Sequence, residues 1–557
     1  MRISAWIVPA ITLAITLSIL FLYLLGPMQG NFNQIFLSAQ KFGVPAQLKS
    51  HGITTLYQGE NETGWDGQFY YYIANDPLAL KDTTQHIDLN AYRYQRIGLP
   101  ALAKFVSKIA RRNWVSPLFY YMTSLLVILM AASMAATFFQ KRKISPYLAL
   151  FWALGCGTQV TQLNGLPDAA ADGFLIIALI SLIDKHVIVY MITMTLAVLT
   201  REVYVIFPIL IAFVTFIVEF NSNKTSLFTK NKLPALVKAL LIQAIPVALF
   251  VTWQAYVRLK IGTMSSPENI ISWPFVTTFH YLLAGLSGVH PDIGAGWSAY
   301  LEGVGISLYL ILLALSTMAL LPLLKRSTQN ITRGIALGFL ALIALYFCFG
   351  PLVMKHFTGY FKAANIFLFA LPFAATLTQT KMSRPIIFLL LIITLFFNYL
   401  LWIRITVPPY QPTPSISYVA SEPNCLKEYR AQIQPIDIET YATASIMKRL
   451  FAPRKMIIQT KVTNTSSETY SPFLGKGSVN MSYQWVKADN QVAVKDGIRT
   501  QLTKSLLPNE STILPITVDF PSEAGKYFLT LSLVQEGCGW FYANHPDSAY
   551  RIPYTIR

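Results

Sequence analysis

Residues 4–25 form an apolar run preceded only by Arg2 and lack a small-residue cleavage site after a short core, so they read as an uncleaved first membrane span with its N-terminus inside. Residues 26–113 are too polar to cross a bilayer and make a long first external connection. Near its end, Ala101 to Ala110 is amphipathic and leads into Arg111-Arg112; too short to span, it is expected on the membrane surface. Further apolar runs lie at 115–139, 146–163, 170–183, 187–200, 203–220, 234–257, 303–324, 334–351, 363–379 and 385–406. With the first run these predict about eleven transmembrane helices, several below the usual span of roughly twenty residues, as tilted or buried helices of a bundle are.

Charge placement supports this count. A chain that starts inside puts every second connection on the cytoplasmic side, and those carry Lys141-Arg142-Lys143, Lys185, Lys224/Lys230/Lys232, Lys325-Arg326/Arg333 and Lys381/Arg384. All five are basic, as cytoplasmic loops are. An odd count leaves the C-terminal region outside with the first connection, and makes 258–302 a shorter external connection.

After Pro408-Pro409-Tyr410-Gln411-Pro412-Thr413-Pro414, a stiff linker, the rhythm changes to short alternating segments separated by turn residues. They run Lys455 to Thr463, Ser478 to Lys487, Gln491 to Val494, Ser511 to Phe520 and Gly525 to Gln535. Strands at this spacing predict a small antiparallel sandwich. The expected division is 1–407 transmembrane, with the first connection at 26–113, then a linker at 408–452 and a β-sandwich domain at 453–557.

Composition agrees with a membrane body: 54% hydrophobic residues and 13% charged, about half the charged fraction of a soluble protein. The net charge of +18 is unevenly held, +15 in residues 1–407 and +3 in 408–557. That excess fits cytoplasmic loops and anionic lipid rather than nucleic acid, for which no motif is present. Cys156 and Cys348 lie in apolar runs, and neither they nor Cys425 and Cys538 have metal-ligand spacing. The seven histidines are scattered, so no protein-held metal site and no cofactor are expected, a divalent ion having no ligand cluster behind it. Cys425 and Cys538 are the only cysteines in a region predicted to face an oxidising compartment, and are expected to form a disulfide.

Candidate chemistry concentrates in Gly64-Trp65-Asp66-Gly67-Gln68-Phe69-Tyr70-Tyr71-Tyr72, within the first connection. An acid between an indole and a glycine, followed by rings, suits a pocket for a polyhydroxylated ligand, the rings stacking and the carboxylate taking a hydroxyl proton; an interfacial aromatic belt with a solvated acid has the same residues. Ionisable residues at the ends of apolar runs are costly to insert and therefore informative. Asp168 and Asp172 are one helical turn apart, and Arg201-Glu202 closes the fifth run; all four fall on the membrane side of Asp66. Lys355-His356 and Tyr360-Phe361-Lys362 lie on that side too, able to hold a lipid phosphate or to anchor helix ends at the interface.

Gly64-Trp65-Asp66-Gly67-Gln68-Phe69-Tyr70-Tyr71, Tyr92-Arg93-Tyr94-Gln95-Arg96 and Leu199-Thr200-Arg201-Glu202, on a body of this topology, resemble the GT-C superfamily of integral-membrane glycosyltransferases, close to bacterial GT-C-like proteins of cell-surface glycopolymer formation. The resemblance covers most of residues 1–406. It implies a multi-pass protein of the bacterial inner membrane that transfers a sugar from a polyprenyl-phosphate donor to a glycan, glycolipid or glycoprotein acceptor on the periplasmic face. Asp66 would be the catalytic base, and Trp65, Gln68, Tyr70, Tyr71, Arg93, Arg96, Asp168, Arg201, Glu202, Lys355 and Lys362 the substrate-binding residues. The chain departs from the paired-acid pattern common in such enzymes, because Asp66 is followed by Gly67-Gln68 and the nearest other acids are Glu60, Glu62 and Asp76. In the C-terminal domain, Val479 to Trp485, Asp496 to Thr500 and Leu533 to Phe541 are similar to an immunoglobulin-like module found beside glycan-synthesis proteins, in which Trp485, Trp540 and Phe541 would be core. A polysaccharide flippase or transporter, and a non-catalytic subunit of a glycan assembly complex, are the rival readings.

Overall fold

The computed structural model describes residues 5–25, 32–39, 41–55, 64–222, 232–262, 270–326, 330–380, 382–406, 425–439, 455–472, 477–489, 491–502, 505–521 and 525–556. Expectations that fall on Glu60, Glu62, Lys224, Lys230, Lys381, Pro408 to Pro414 and Pro453 lie outside these residues. The chain divides into two compact units, Met1–Gln411 and Pro412–Arg557.

The first unit opens with α1 (Ile7–Leu25). The first connection is itself folded, into α2 (Ala46–Lys49), α3 (Gly67–Asn75), α4 (Asn90–Tyr94) and α5 (Gly98–Ile109). At α6 (Pro117–Lys141) the Ser116 hydroxyl accepts the Phe119 N–H and Pro117 fills the first turn, where its missing N–H costs nothing. The apolar run at 146–163 is not one span but α7 (Ala149–Ala153) and α8 (Cys156–Asn164), broken where Gly155 and Gly157 admit Asn365 against their backbone. Asn365 then donates to Trp152 O at 3.2 Å and Thr158 Oγ1 at 2.8 Å, so the break is bridged rather than left open.

The chain continues through α9 (Asp168–Ile183), α10 (Val187–Thr200), α11 (Ile206–Ser222) and α12 (Lys232–Lys260). The stretch 258–302, expected as a plain connection, contains α13 (Val276–Leu286) and a hairpin of β1 (Val289–His290) and β2 (Gly294–Ala295). α13 packs on the first turns of α14 (Trp297–Arg326), where a side chain on Gly285 or Gly303 would strike the other's backbone at 2.6 Å. Next come α15 (Asn330–Tyr346), α16 (Pro351–Met354), α17 (Phe357–Ala364), α18 (Phe367–Leu377) and α19 (Arg384–Thr406). Among the described residues seven helical segments are long and apolar enough to cross a membrane: Ile7–Leu25, Pro117–Lys141, Glu202–Glu219, Leu233–Lys260, Trp297–Lys325, Phe357–Leu377 and Arg384–Ile403. α10, α13 and α15 are apolar but shorter. The first unit is therefore a helical membrane domain.

The second unit is built of strands: β3 (Ala431–Glu439), β4 (Lys455–Asn464), β5 (Val479–Lys487), β6 (Val492–Val494), β7 (Thr500–Gln501), β8 (Ser511–Asp519), β9 (Gly525–Gln535), β10 (Gly539–Trp540) and β11 (Ala549–Ile556). One antiparallel sheet has the order β3-β4-β8, the other β10-β9-β5-β6 with β11 against β9 and β7 against β5. Alternate residues of both, among them Ile458, Val462, Ile516, Tyr483, Trp485 and Leu531, share one core. The indole of Trp485 donates to Asp519 O at 2.7 Å, and Phe541 is fully buried, but Trp540 is only partly covered.

The stretch 408–452 is not all linker. β3 lies within it, an edge strand whose Pro435 falls beside a shift of register, the position where a missing N–H is tolerated. Cys425, also in that stretch, is bonded to Cys538 with 5.6 Å between α carbons.

Candidate functional site

Gly64 to Gln68 is a turn built to place Asp66. Gly64 adopts φ +61°, and a side chain there would meet Leu37 O at 2.1 Å. At Gly67, the first residue of α3, a Cβ would lie 1.7 Å from Asn164 O, so the turn is pressed against the chain just ahead of α9. Gln68 is fully buried and accepts the Ala39 N–H at 2.9 Å, while Trp65 stacks on Tyr23 with ring centroids 5.8 Å apart. Two expected ligand-binding side chains thus serve the turn itself.

The aromatic run is corrected as well. Phe69, Tyr70, Tyr71 and Tyr72 are all at most 1% exposed, because α3 is covered on every side. Tyr71 packs on Phe36 and Tyr120 at 5.1 and 6.2 Å, in the core rather than on a ligand-facing surface. Of this run Tyr70 accepts a hydrogen bond from the charged groups, its hydroxyl 3.4 Å from Arg96 Nη1, and Phe69 lends its ring face to Arg93.

From Asp66 a belt of paired charges runs across the unit. Arg93 donates to Asp66 Oδ2 at 2.9 Å and forks onto Asp88 at 2.9 and 2.8 Å, its guanidinium 5.1 Å from the centre of the Phe69 ring. Burial alone would raise the Asp88 carboxyl, but the hydrogen bonds and charge of Arg93 outweigh it and hold Asp88 below the usual carboxylate range. Arg96 forks onto Glu202 at 2.8 and 2.7 Å and donates to Tyr92 OH at 2.9 Å. Burial pushes the Tyr92 phenol up to about 12, so that hydroxyl stays neutral. Arg201 lies between Asp168 at 3.9 Å and Asp172 at 3.5 Å, and donates to Tyr204 OH at 3.2 Å. Tyr204 in turn donates to Asp172, whose other oxygen accepts the Trp152 indole at 3.3 Å. Lys362 approaches Asp168 at 3.8 Å, and Arg96 is also within electrostatic reach of Asp168.

Two consequences follow for chemistry. Each arginine of the belt is already neutralised by a carboxylate, so an anionic ligand meets no bare guanidinium; Lys362, 23% exposed and held by one long contact, is the least committed cation. Among the belt's acids Asp66 is the open one: its side chain is 53% exposed, against 27% for Asp88, 25% for Glu202, 8% for Asp168 and 3% for Asp172. A carboxylate held from behind by an arginine and open in front can accept a proton from an incoming hydroxyl.

Lys355, expected with this group, is exposed at the end of α16 and contributes nothing to the belt as described. Sequence reasoning missed Asp88, Tyr92, Tyr204 and Trp152 as partners, and Glu302. That acid, buried near the start of α14, accepts the Phe357 N–H at 3.2 Å and the Tyr360 hydroxyl at 2.9 Å, and so fixes α17, which carries Lys362. Its signal was an acid directly ahead of an apolar run. A cavity of about 490 Å³ lined by Pro9, Met130, Thr137, Lys141, Asp184 and His186 contains none of the belt residues. Among the described residues, no group of three or more His, Cys, Asp or Glu side chains comes together to hold a metal ion.

No protein-family model matches the chain, and no curated protein matches it significantly.

Proposed function

We propose that the chain is an inverting membrane glycosyltransferase of the GT-C kind, which moves a hexose or pentose from a polyprenyl-phosphate sugar to a cell-surface glycan, lipid or glycoprotein. The observation that carries the reading is Asp66, a half-exposed carboxylate seated by a two-glycine turn and backed by Arg93. In the reaction, Asp66 takes the acceptor hydroxyl's proton as that oxygen bonds to the anomeric carbon. The bond from that carbon to the donor phosphate breaks, its electron pair leaving with polyprenyl phosphate. Lys362, the least firmly paired cation of the belt, would meet the departing charge, while Arg93, Arg96 and Arg201 hold the belt's acids.

The reading includes eleven spans in a bacterial inner membrane, the N-terminus inside, and an immunoglobulin-like sandwich on the periplasmic side. Reporter fusions at Lys230 and Lys487 should report opposite sides; the same side for both would sink that topology. The activity is tested by sugar transfer from a panel of polyprenyl-phosphate sugars with purified wild type and Asp66→Asn. Removing a general base costs about 10²–10⁴-fold in rate, so transfer should nearly vanish while donor binding persists. The neutralised belt favours a second reading, a non-catalytic subunit of a glycan assembly complex, in which the ion pairs serve only to lock helix ends; absence of transfer by wild type with every donor would favour it.

A further inference from the structure

The cations of α5 stand apart from those of the belt. Lys104, Lys108, Arg111 and Arg112 fall within nine residues, and among the described residues none of them has an ion pair. Lys104 donates to Asn113 O at 3.0 Å and Arg112 lies over the Phe119 ring at 4.5 Å, neither contact being an ion pair, and Asp76 offsets the Lys104 charge only in part. Burial first, then repulsion from Lys81 and Lys108, pulls the Lys104 ammonium below its ordinary value. A folded protein has no stabilising reason of its own to gather like charges in this way.

The same helix presents apolar side chains outward. Leu99, Ala103 and Ser107 are buried, whereas Phe105 is 61% and Ile109 67% exposed, beside the basic residues. α5 is also tied to the membrane domain at both ends. At its start, a side chain on Gly98 would meet Thr200 Oγ1 at 2.1 Å and Leu196 O at 2.7 Å, so the helix is seated on the end of α10. At its finish, the chain passes within a few residues into α6, a bilayer-crossing helix whose Leu118 and Met122 are exposed from its first turns. Twelve residues of helix span only about 18 Å, too little for a bilayer core of about 30 Å. A short helix with exposed phenyl and branched side chains, flanked by unpaired cations and joined to a membrane-spanning helix, has the make-up of an interfacial element.

We infer that α5 is a docking surface for anionic phospholipid headgroups: Lys104, Lys108, Arg111 and Arg112 take the phosphates, and Phe105 and Ile109 enter the acyl boundary. The occupant follows from charge complementarity and from continuity with the membrane-crossing α6. The inference does not depend on the proposed reaction, since it concerns lipid and not sugar.

The test uses the full-length protein in mild detergent, titrated with phosphatidylglycerol or phosphatidylcholine of identical acyl chains, with bound lipids counted by native mass spectrometry. Wild type should prefer phosphatidylglycerol. Each basic residue near an anionic surface is worth roughly fivefold, so Lys104→Gln/Lys108→Gln/Arg111→Gln/Arg112→Gln should lose at least tenfold of that preference. Phosphatidylcholine binding should stay as it is and the melting temperature should move little, since no ion pair among the described residues is removed and only the Lys104 bond to Asn113 O and the Arg112 contact with Phe119 are lost. A phosphatidylglycerol preference equal to that of wild type in this variant overturns the inference. Wild type gives a second check that needs no variant to fold: raising salt to about 1 M, where screening acts over roughly 3 Å, should remove the preference, and a preference indifferent to salt also overturns it.

Discussion

The belt has two ends that use the same residue types to opposite effect. At one, Asp66, Asp88 and Arg93 belong to the first connection, and the carboxylate of Asp66 is half in solvent. At the other, Asp168, Asp172 and Arg201 sit at helix ends with side chains less than a tenth exposed; Tyr204 and Trp152 hydrogen-bond Asp172, whereas among the described residues Asp168 Oδ2 has only Lys362 at 3.8 Å. A buried carboxylate is held by what surrounds it and has little freedom to meet a substrate. An open one is held from one side only, and its other side is free for chemistry. On the proposed reading the closed end serves structure and the open one the reaction, although in sequence both are simply acids near arginines.

Arg201→Gln should have the largest effect on stability. It strips the counter-charge from buried Asp172 and leaves Asp168 ion-paired with Lys362 alone among the described residues, and removing one partner of such a group costs about 3–5 kcal/mol. Thermal unfolding of the purified variant in detergent should show the loss; wild-type melting would mean that Asp168 and Asp172 do not rely on Arg201. Arg96→Gln comes next. Arg96 is 16% and Glu202 25% exposed, so the loss is that of a charged hydrogen-bonded fork, roughly 2–3 kcal/mol, and it should fall between the two ends of the belt. A cost as large as that of Arg201→Gln would shift the boundary of the closed end to include Glu202.

How far these assignments can be read from sequence depends on range. Long apolar helices such as Pro117–Lys141 and alternating strands such as Val479–Lys487 are visible because their signal lies in neighbouring residues. α13 was hidden because eleven residues, with Val276 and Phe279 among them exposed and Trp273 exposed just ahead, carry neither a full span nor a clean face. In the site, Asp66, Arg93, Arg96, Asp168 and Arg201 are conspicuous as residue types, but their partners are not. Arg96 meets Glu202 across 106 positions, and nothing local to either predicts it. Tyr71 and Gln68 show the same limit from the other direction, since a ring or amide in a motif looks alike whether it faces a ligand or a core.

Gly67→Ala should have a smaller effect that tests how the open end is placed. The added methyl would lie 1.7 Å from Asn164 O, a backbone atom with no rotamer to change, so the turn must back away from α8. Overpacking of this kind costs about 1–3 kcal/mol. The displacement should move Asp66 relative to Arg93, and transfer should fall with the acid itself still present. Transfer at the wild-type rate would mean that the placing of Asp66 by this turn does not matter.

Asp66→Asn should have the smallest effect on stability, and that is what makes it decisive. The amide keeps the size of the side chain and can still accept from Arg93, which retains its fork on Asp88. What is lost is one charge more than half exposed, and pairs of that exposure are worth about 0–1 kcal/mol. Melting should therefore hardly move. If it drops as far as it does for Arg201→Gln, the two ends of the belt are one structural device, and Asp66 is a brace whose exposure is incidental. If it holds while transfer disappears, the fold has been separated from the chemistry at a single side chain, because the amide keeps the carboxylate's size and its bond from Arg93 and loses the charge that lets it take a proton.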